Sequence, residues 1–328
     1  MYVFIINPKA GNGKGLKIVE NYIRDHKQLN GEIKTYYTEY EGHATKLAEQ
    51  IASLYEHQIK LLFVVGGDGT IYEVVNGLKK HPNIPISFCP VGSGNDFARG
   101  CQTPLNPKEH IEFSLDKNEL NPYWLGTFRT NLKNVSDYDL FASSLGFGFD
   151  AEVAERVNKS RFKKVLNSLR LTFLIYVIGL IVTIFLFKPK DLTLTIDGEK
   201  KQLSNVWLLT VSNHPYFGGG MKIAPTAKIN EHHFTVTIVH QISRIKLLFL
   251  FITVFFGTHT KLKEVEQFQA SHLSILSEQS LTYHADGATS SCHLCDIAKE
   301  PYTRYVIRET IDENKRSSKV KKSSAIVK

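Results

Sequence analysis

Two carboxylates, Asp68 and Asp96, each follow a glycine-rich bend, and this pairing is the chemistry most directly readable in the chain. Asp68 sits in Gly66-Gly67-Asp68-Gly69-Thr70, at the end of an apolar run that begins at Leu61. Asp96 sits in Pro90-Val91-Gly92-Ser93-Gly94-Asn95-Asp96-Phe97-Ala98-Arg99, after the apolar run Ile86–Cys89. Glycines take away the Cβ atoms that would keep main-chain N–H groups from a ligand. A bare bend that opens a helix is an anion site, and phosphate is its usual anion. A carboxylate beside such a cradle makes sense if a divalent cation lies between them, or if it polarises an attacking hydroxyl. Asp96 can cap a helix at the same time.

The elements that must position these groups are βα units. The run from Leu61 reads as a buried parallel strand, and Thr70 with Glu73 fits a capping box, so a helix is expected to start at Thr70. Tyr2–Ile6 is a strand leading into Asn7-Pro8-Lys9-Ala10-Gly11-Asn12-Gly13-Lys14-Gly15, with a helical pattern over Leu16–Leu29. This first loop is not a Walker A sequence, because no Ser or Thr follows Lys14, and Leu16 stands where a dinucleotide fingerprint needs its last glycine. Thr35–Thr38 reads as a second strand, followed by Glu41-Gly42-His43-Ala44-Thr45 and a helix to about Tyr55. Met1 to about Leu120 is therefore a nucleotide half in which Asp68 and Asp96 lie at the carboxyl ends of neighbouring strands and face one crevice.

After Pro122 the texture changes to short alternating runs, among them Asp139–Leu145, Leu192–Ile196 and Val206–Val211, with Asp197-Gly198 as a hairpin turn. This predicts an antiparallel β domain. Leu171–Phe187 carries no charge over seventeen residues and is flanked by Arg170 and Lys188. That is at the short end of spanning length. Thr172, Tyr176, Gly179 and Thr183 make one milder stripe on it, which suits a helix docked on the β domain and greasing a surface toward lipid. Ile245–Phe256 is a second apolar helix, too short to span.

Three segments together resemble the bacterial diacylglycerol kinase family, whose relatives include sphingosine kinases, NAD kinases and, more distantly, 6-phosphofructokinases. They are the Asn7-Pro8 loop, Gly66–Thr70, and Pro90–Ala98. Gly146-Phe147-Gly148-Phe149-Asp150-Ala151 is similar to a family motif where the chain passes from strand to helix near the acceptor cleft. The resemblance covers about residues 1–310. It implies an α/β fold: an N-terminal parallel-sheet nucleotide-binding domain, NAD kinase/phosphofructokinase-like, followed by an antiparallel β-sandwich-type domain with docked apolar helices. The implied division is 1–122 plus about 306–312 for the nucleotide domain, 123–305 for the lipid domain, and a basic tail at 313–328, with Tyr305–Arg308 as a strand returning to the first domain.

The implied activity is phosphoryl transfer from ATP, with Mg²⁺, to a lipid hydroxyl of the diacylglycerol kind. By resemblance ATP lies along Asn7, Pro8, Lys9, Ala10, Gly11, Thr38, Gly66, Gly67, Asp68, Gly69, Thr70, Glu73, Ser93 and Asn95. Asp68 and Asp96 hold the phosphate-bridging Mg²⁺. A structural Mg²⁺ site is implied at Glu231 with the carbonyls of Lys228 and His233, where the family's Asp-Gly has become Glu231-His232. In Tyr283-His284-Ala285-Asp286-Gly287-Ala288 the family's general-base Glu is replaced by Ala288, whose methyl group accepts no proton. Asp68 is the first substitute base to consider, with Asp286 or His284 next. The rivals are a soluble NAD kinase and a nucleotide-binding regulator without catalysis.

Composition bounds the rest. A chain of 328 residues with 42% hydrophobic content has material for two domains with real cores. The net charge is +8, and Lys315, Arg316, Lys319, Lys321, Lys322 and Lys328 supply six of those positives, so the body is near +2. The tail reads as a disordered arm able to touch anionic lipid; no nucleic-acid partner is expected, and a homodimer is allowed but not specified. Four cysteines make no disulfide framework, and no secretory segment opens the sequence, so the expected place is the cytoplasm, at the inner face of the membrane. Cys292-His293-Leu294-Cys295 has metal-ligand spacing without a second ligand pair.

Overall fold

The computed structural model describes residues 1–26, 31–117, 120–134, 137–159 and 172–309, without the side chains of 117, 157–159 and 172–178. The basic tail, Leu171, the end of the first expected helix, and the side chains of Thr172 and Tyr176 lie outside the described residues. The first unit runs β1 (Tyr2–Ile6), α1 (Lys14–Asp25), β2 (Ile33–Tyr37), α2 (His43–Tyr55), β3 (Leu61–Gly66), α3 (Asp68–Gly77), β4 (Ile86–Pro90), α4 (Asp96–Gly100), α5 (Pro107–Lys117) and β5 (Leu120–Tyr123). The second runs β6 (Gly126–Thr130), β7 (Asp139–Phe141), β8 (Ser144–Gly148), α6 (Phe149–Lys159), α7 (Thr172–Leu186), β9 (Lys190–Ile196), β10 (Glu199–Ser212), β11 (Phe234–His240), α8 (Arg244–Phe256), β12 (Val265–Ala270), β13 (His272–Ala285) and β14 (Ala288–Lys299). The chain then returns as β15 (Arg304–Ile307).

The first sheet has the order β2-β1-β3-β4-β15-β5, parallel except where β5 meets β15. Every residue of β3 is buried, as an uninterrupted apolar strand between two helical layers should be. Val3, Ile5, Leu62 and Val64 pack with Ala44, Ala48 and Ile71 of α2 and α3. Phe4, Ile6, Phe63 and Val65 face the other way, onto Val19 and Tyr22 of α1 and Ile111 of α5. β1 sits between β2 and β3: the chain steps from β1 out to β2 and then crosses back past β1 to β3, which reverses the direction of winding. A crevice opens outside the strand ends at that switch point, where the loops after β1, β3 and β4 gather.

The second sheet is antiparallel, in the order β12-β11-β10-β8-β13-β14-β6-β7, with β9 pairing both β10 and β13. Asp197 and Gly198, at φ 49° and 96°, make the two-residue turn that joins β9 to β10. One face buries an aromatic core that includes Phe128, Phe141, Phe147, Phe234 and Tyr283. The expected strand Asp139–Leu145 is instead two strands, β7 and β8. The Asp286 carboxylate draws in the N–H groups of Ala142, Ser143 and Ser144 and bends the chain away from a straight ladder. Cys292 and Cys295 are free buried thiols of β14.

The two apolar helices lie side by side on the second face. Thr183, Ile184 and Phe187 are buried, and the Thr183 hydroxyl donates back to Gly179 O at 2.6 Å. Arg244, at the start of α8, donates to the carbonyls of Ile184 and Phe187 at the end of α7, satisfying groups that a helix end leaves unpaired. Among the described residues, no helix is long and apolar enough to cross a membrane.

Lys299 gives the fold a pH signature. Its ammonium stands 4.4 Å from the Phe234 ring centroid and donates to Asn213 Oδ1 at 2.6 Å, and burial lowers its pKa to about 7. The folded value lies below the unfolded value of 10.5, so the unfolded chain binds more protons between those limits. Stability contributed by this group therefore rises with pH across that window. Lys299→Met is expected to remove the rise, on the order of 2 kcal/mol between pH 7 and 10, read as the difference between wild-type and variant unfolding midpoints in a pH series.

Candidate active site

The glycine loops meet back to back at the crevice. A Cβ on Gly92 would stand 2.6 Å from the Cα of Gly67, closer than side chains allow, so glycine is what lets the loops after β3 and β4 touch. The Asn95 side chain folds the second loop by accepting from Gly92 N at 2.9 Å and donating to Gly92 O at 3.0 Å. Its amide is spent on the main chain, so it shapes the cradle. Ser93 is exposed at the tip of the same loop.

The capping box is not formed. α3 starts at Asp68 rather than Thr70, with Gly67 as its N-cap and no side-chain cap. Thr70 and Glu73 have tertiary partners instead. Asn7 Nδ2 donates to Thr70 Oγ1 at 3.3 Å, tying the first loop to α3. Glu73 accepts from Ala44 N at 3.0 Å, meeting an unpaired N–H in the first turn of α2. Thr38 is buried at the end of β2, and its N–H donates to Ile6 O at 2.9 Å. Asn7 also accepts from Lys9 N at 3.0 Å, which turns Pro8, Lys9, Ala10 and Gly11 around the mouth of the crevice, with Lys9 and Gly11 exposed. Gly66 ends β3, and Gly69 has no atom within 4 Å of where a Cβ would be, so its first-turn backbone is open.

Asp68 and Asp96 share the floor of this crevice. A Cβ on Gly94 would lie 2.8 Å from Asp68 Oδ2 and 3.5 Å from Asp96 Oδ2. Asp68 Oδ1 accepts from Phe97 N at 3.2 Å, at the N-terminus of α4. Asp96 accepts from Gly219 N and Gly220 N at 2.9 and 2.7 Å, which draws a loop of the second domain over the first. Arg99 Nε donates to Gly94 O at 3.2 Å, and its guanidinium lies against Gly220. Sequence reasoning gave Arg99 no role; its place directly after Asn95-Asp96-Phe97-Ala98 was the available sign.

Burial raises the pKa of both carboxylates. Asp286 adds to the effect at Asp68, and Asp68 adds to it at Asp96. Two like charges held in a desolvated cleft are a donor set that a divalent cation would relieve. Mg²⁺ is usually bound through one or two carboxylates together with substrate phosphates, and the pair beside a bare backbone cradle fits that pattern.

The implied structural metal loop does not fit. Asn230 fills it: its Nδ2 donates to Lys228 O at 2.8 Å, and its Oδ1 accepts from His232 N and His233 N at 2.9 and 2.7 Å. Glu231 is exposed, and the His233 ring pairs with Ser271 Oγ at 3.0 Å. The Lys228 carbonyl thus already accepts from an amide side chain, and the exposed Glu231 side chain is not drawn toward it. Asp286 is likewise not a free base. Its oxygens accept the N–H groups of Ala142, Ser143 and Ser144 at 2.6, 2.8 and 3.0 Å, and burial raises its pKa to about 6.

The comparisons with known proteins agree with this architecture. Residues 1–125 match the "Diacylglycerol kinase catalytic domain", and residues 143–300 match the "YegS C-terminal NAD kinase beta sandwich-like domain". A Bacillus subtilis (strain 168) protein named "Putative lipid kinase YtlR" is 36% identical over 92% of this chain and 97% of its own. A "Diacylglycerol kinase" of Mycobacterium tuberculosis (strain CDC 1551 / Oshkosh) is 26% identical over 93% of this chain and 94% of its own. In fold, the chain is similar to the crystal structure of a "putative diacylglycerol kinase from Bacillus anthracis str. Sterne", with a TM-score of 0.73, 22% identity, and coverage of 94% of this chain and 95% of that one.

Proposed function

Because the chain belongs to the diacylglycerol kinase family, we propose that it transfers the γ-phosphoryl group of ATP to the hydroxyl of a diacylglycerol-like lipid, giving a phosphatidic-acid-like product at the inner face of the membrane. The nucleotide's phosphates fit the bare backbone where the loops after β1, β3 and β4 converge, and α3 directs its N-terminal N–H groups there. Asp68 and Asp96 would hold Mg²⁺, which supplies charge neutralisation on the phosphoryl oxygens when bound with the nucleotide. The protein's own part is positioning. Phosphoryl transfer leaves little covalent chemistry to the enzyme, so holding the acceptor in line with the cradle is the main task.

One observation carries the choice of a lipid over a soluble acceptor. Ile245, Phe249, Ile252 and Phe256 of α8 are 70%, 65%, 61% and 75% exposed, and Phe185 and Leu186 of α7 extend the same apolar surface. A patch of large side chains on two adjoining helices is costly in water and natural against acyl chains. The Phe249→Asp/Phe256→Asp double variant is expected to bind anionic vesicles at least about tenfold more weakly. It should lose turnover of vesicle-embedded diacylglycerol while keeping turnover of a short-chain soluble one. Flotation and labelled-ATP assays with a lipid panel measure both. Phosphorylation of NAD, or no phospholipid product from any hydroxyl lipid, would overturn the reading.

A further inference from the structure

The second domain holds a buried group of polar side chains that the Asp68–Asp96 pair does not account for. Thr210, Gly146 and His284 lie directly side by side across β10, β8 and β13, on the face opposite the aromatic core. Asp150, at the start of α6, reaches over this row, and His284 Nε2 lies 3.2 Å from Asp150 Oδ2. Gly146 is what brings the pair together, since a Cβ there would stand 2.2 Å from Asp150 Oδ2 and 2.4 Å from His284 Nε2. The side chains of His284 and Asp150 are only 5% and 6% exposed.

Buried polar atoms normally have partners. Here His284 Nδ1, Asp150 Oδ1, Thr210 Oγ1 and Ser212 Oγ have none. Ser212 pairs with Ser144, next along the same row. The row is linked to the crevice described above through Phe217. The Phe217 ring packs on His284 with centroids 5.2 Å apart, and Phe217 begins the turn whose Gly219 and Gly220 N–H groups hold Asp96. His284 also lies two residues before Asp286, whose charge acts on Asp68.

We propose that His284, oriented by Asp150, is the general base of this enzyme, and that the polar row over Gly146 receives the hydroxyl-bearing end of the lipid acceptor. The inference rests on the lipid-kinase reading. Nε2–H donates to Asp150, which leaves the Nδ1 lone pair free. The acceptor oxygen forms a bond to the γ-phosphorus, and the bond from that phosphorus to the β,γ-bridging oxygen breaks, its electron pair going to ADP. The hydroxyl proton moves to Nδ1, and the imidazolium is held by Asp150 until the proton leaves to water. Thr210 and Ser212 bind the acceptor's remaining oxygens.

The test compares wild type with His284→Gln, Asp150→Asn, Ala288→Glu and the His284→Gln/Ala288→Glu double variant, using labelled ATP and diacylglycerol in anionic vesicles. His284→Gln is expected to lower kcat about 10²–10⁴-fold, the usual worth of a general base, with the KM for ATP unchanged. Asp150→Asn, which keeps the side chain's shape, should lower kcat less. Adding Ala288→Glu should return at least tenfold of what His284→Gln loses, a rescue that a merely structural histidine would not give. Thermal melts and ATP-binding calorimetry verify that each variant folds. An active wild type whose His284→Gln variant stays within threefold overturns this inference alone, as does a loss that Ala288→Glu leaves unrepaired. A wild type that binds ATP and phosphorylates no lipid overturns the kinase reading and this inference with it.

Discussion

Asp68→Asn is expected to lower turnover about 10³-fold and, at the same time, to raise the melting temperature by a few degrees. The two effects have one cause. Asp68 and Asp96 are held close in a cleft where burial raises both pKa values, and each charge worsens the other's position. A carboxylate whose folded pKa lies above its unfolded value is destabilising in its charged form. The unfolded chain has already released its proton at pH values where the folded chain still keeps one. Stability therefore falls as pH rises from the unfolded value of 3.8 through the raised folded value. Asparagine removes the charge and keeps an oxygen for the Phe97 N–H, so the first turn of α4 keeps its partner. The variant should lose the fall in stability along with the activity.

Unfolding midpoints across pH 4–7 and steady-state rates with labelled ATP measure the two halves. A variant within tenfold of wild-type turnover would show that Asp68 is not where charge is managed during transfer. A variant that melts lower would show that the carboxylate stabilises the fold. Like-charge pairs of this kind are retained for chemistry against their cost to stability.

Much of this cleft was legible in the sequence because its parts are local. An apolar run ending in glycines, followed by a helical pattern, specifies a strand, a bare bend and a helix start within about ten residues, and β3 with α3 and β4 with α4 follow from it. The Asp197-Gly198 hairpin and the two apolar helices were readable for the same reason. What escaped depended on contacts far apart in the chain. Thr70 and Glu73 have the spacing of a capping box, yet Asn7 and the N-terminus of α2 claim them, so the helix starts earlier. Asp286 reads as a catalytic carboxylate until three amides of the β7–β8 bend are seen to occupy it. His284 and Asp150 meet only because β8 and β13 pair in one register with a glycine between them. Spacing along the chain carries no trace of that meeting.

Glu300→Ala is expected to have the largest effect on stability of any single substitution considered, about 3–5 kcal/mol, or about 10 °C in melting temperature. Glu300 and Arg304 are 2% and 1% exposed at the crossover from β14 to β15. They form a two-pronged pair: Arg304 Nε donates to Glu300 Oε2 at 2.7 Å and an outer guanidinium nitrogen donates to Oε1 at 2.6 Å. The guanidinium also donates to the carbonyls of Leu78 and Lys79, at 3.1 and 3.4 Å, at the end of α3. Leu78 is the C-cap of that helix, and a cation there complements the helix dipole. The pair therefore fastens the last strand of the first sheet to the far end of the helix that carries Asp68. Removing Glu300 leaves a buried guanidinium without its counter-charge, and an uncompensated buried charge is far more costly than losing the pair altogether. The double variant Glu300→Leu/Arg304→Met should accordingly recover much of the loss. Thermal and denaturant melts of the single and double variants decide it. A single-variant shift below 2 °C would mean that solvent reaches the pair and that the crossover is held by backbone pairing alone.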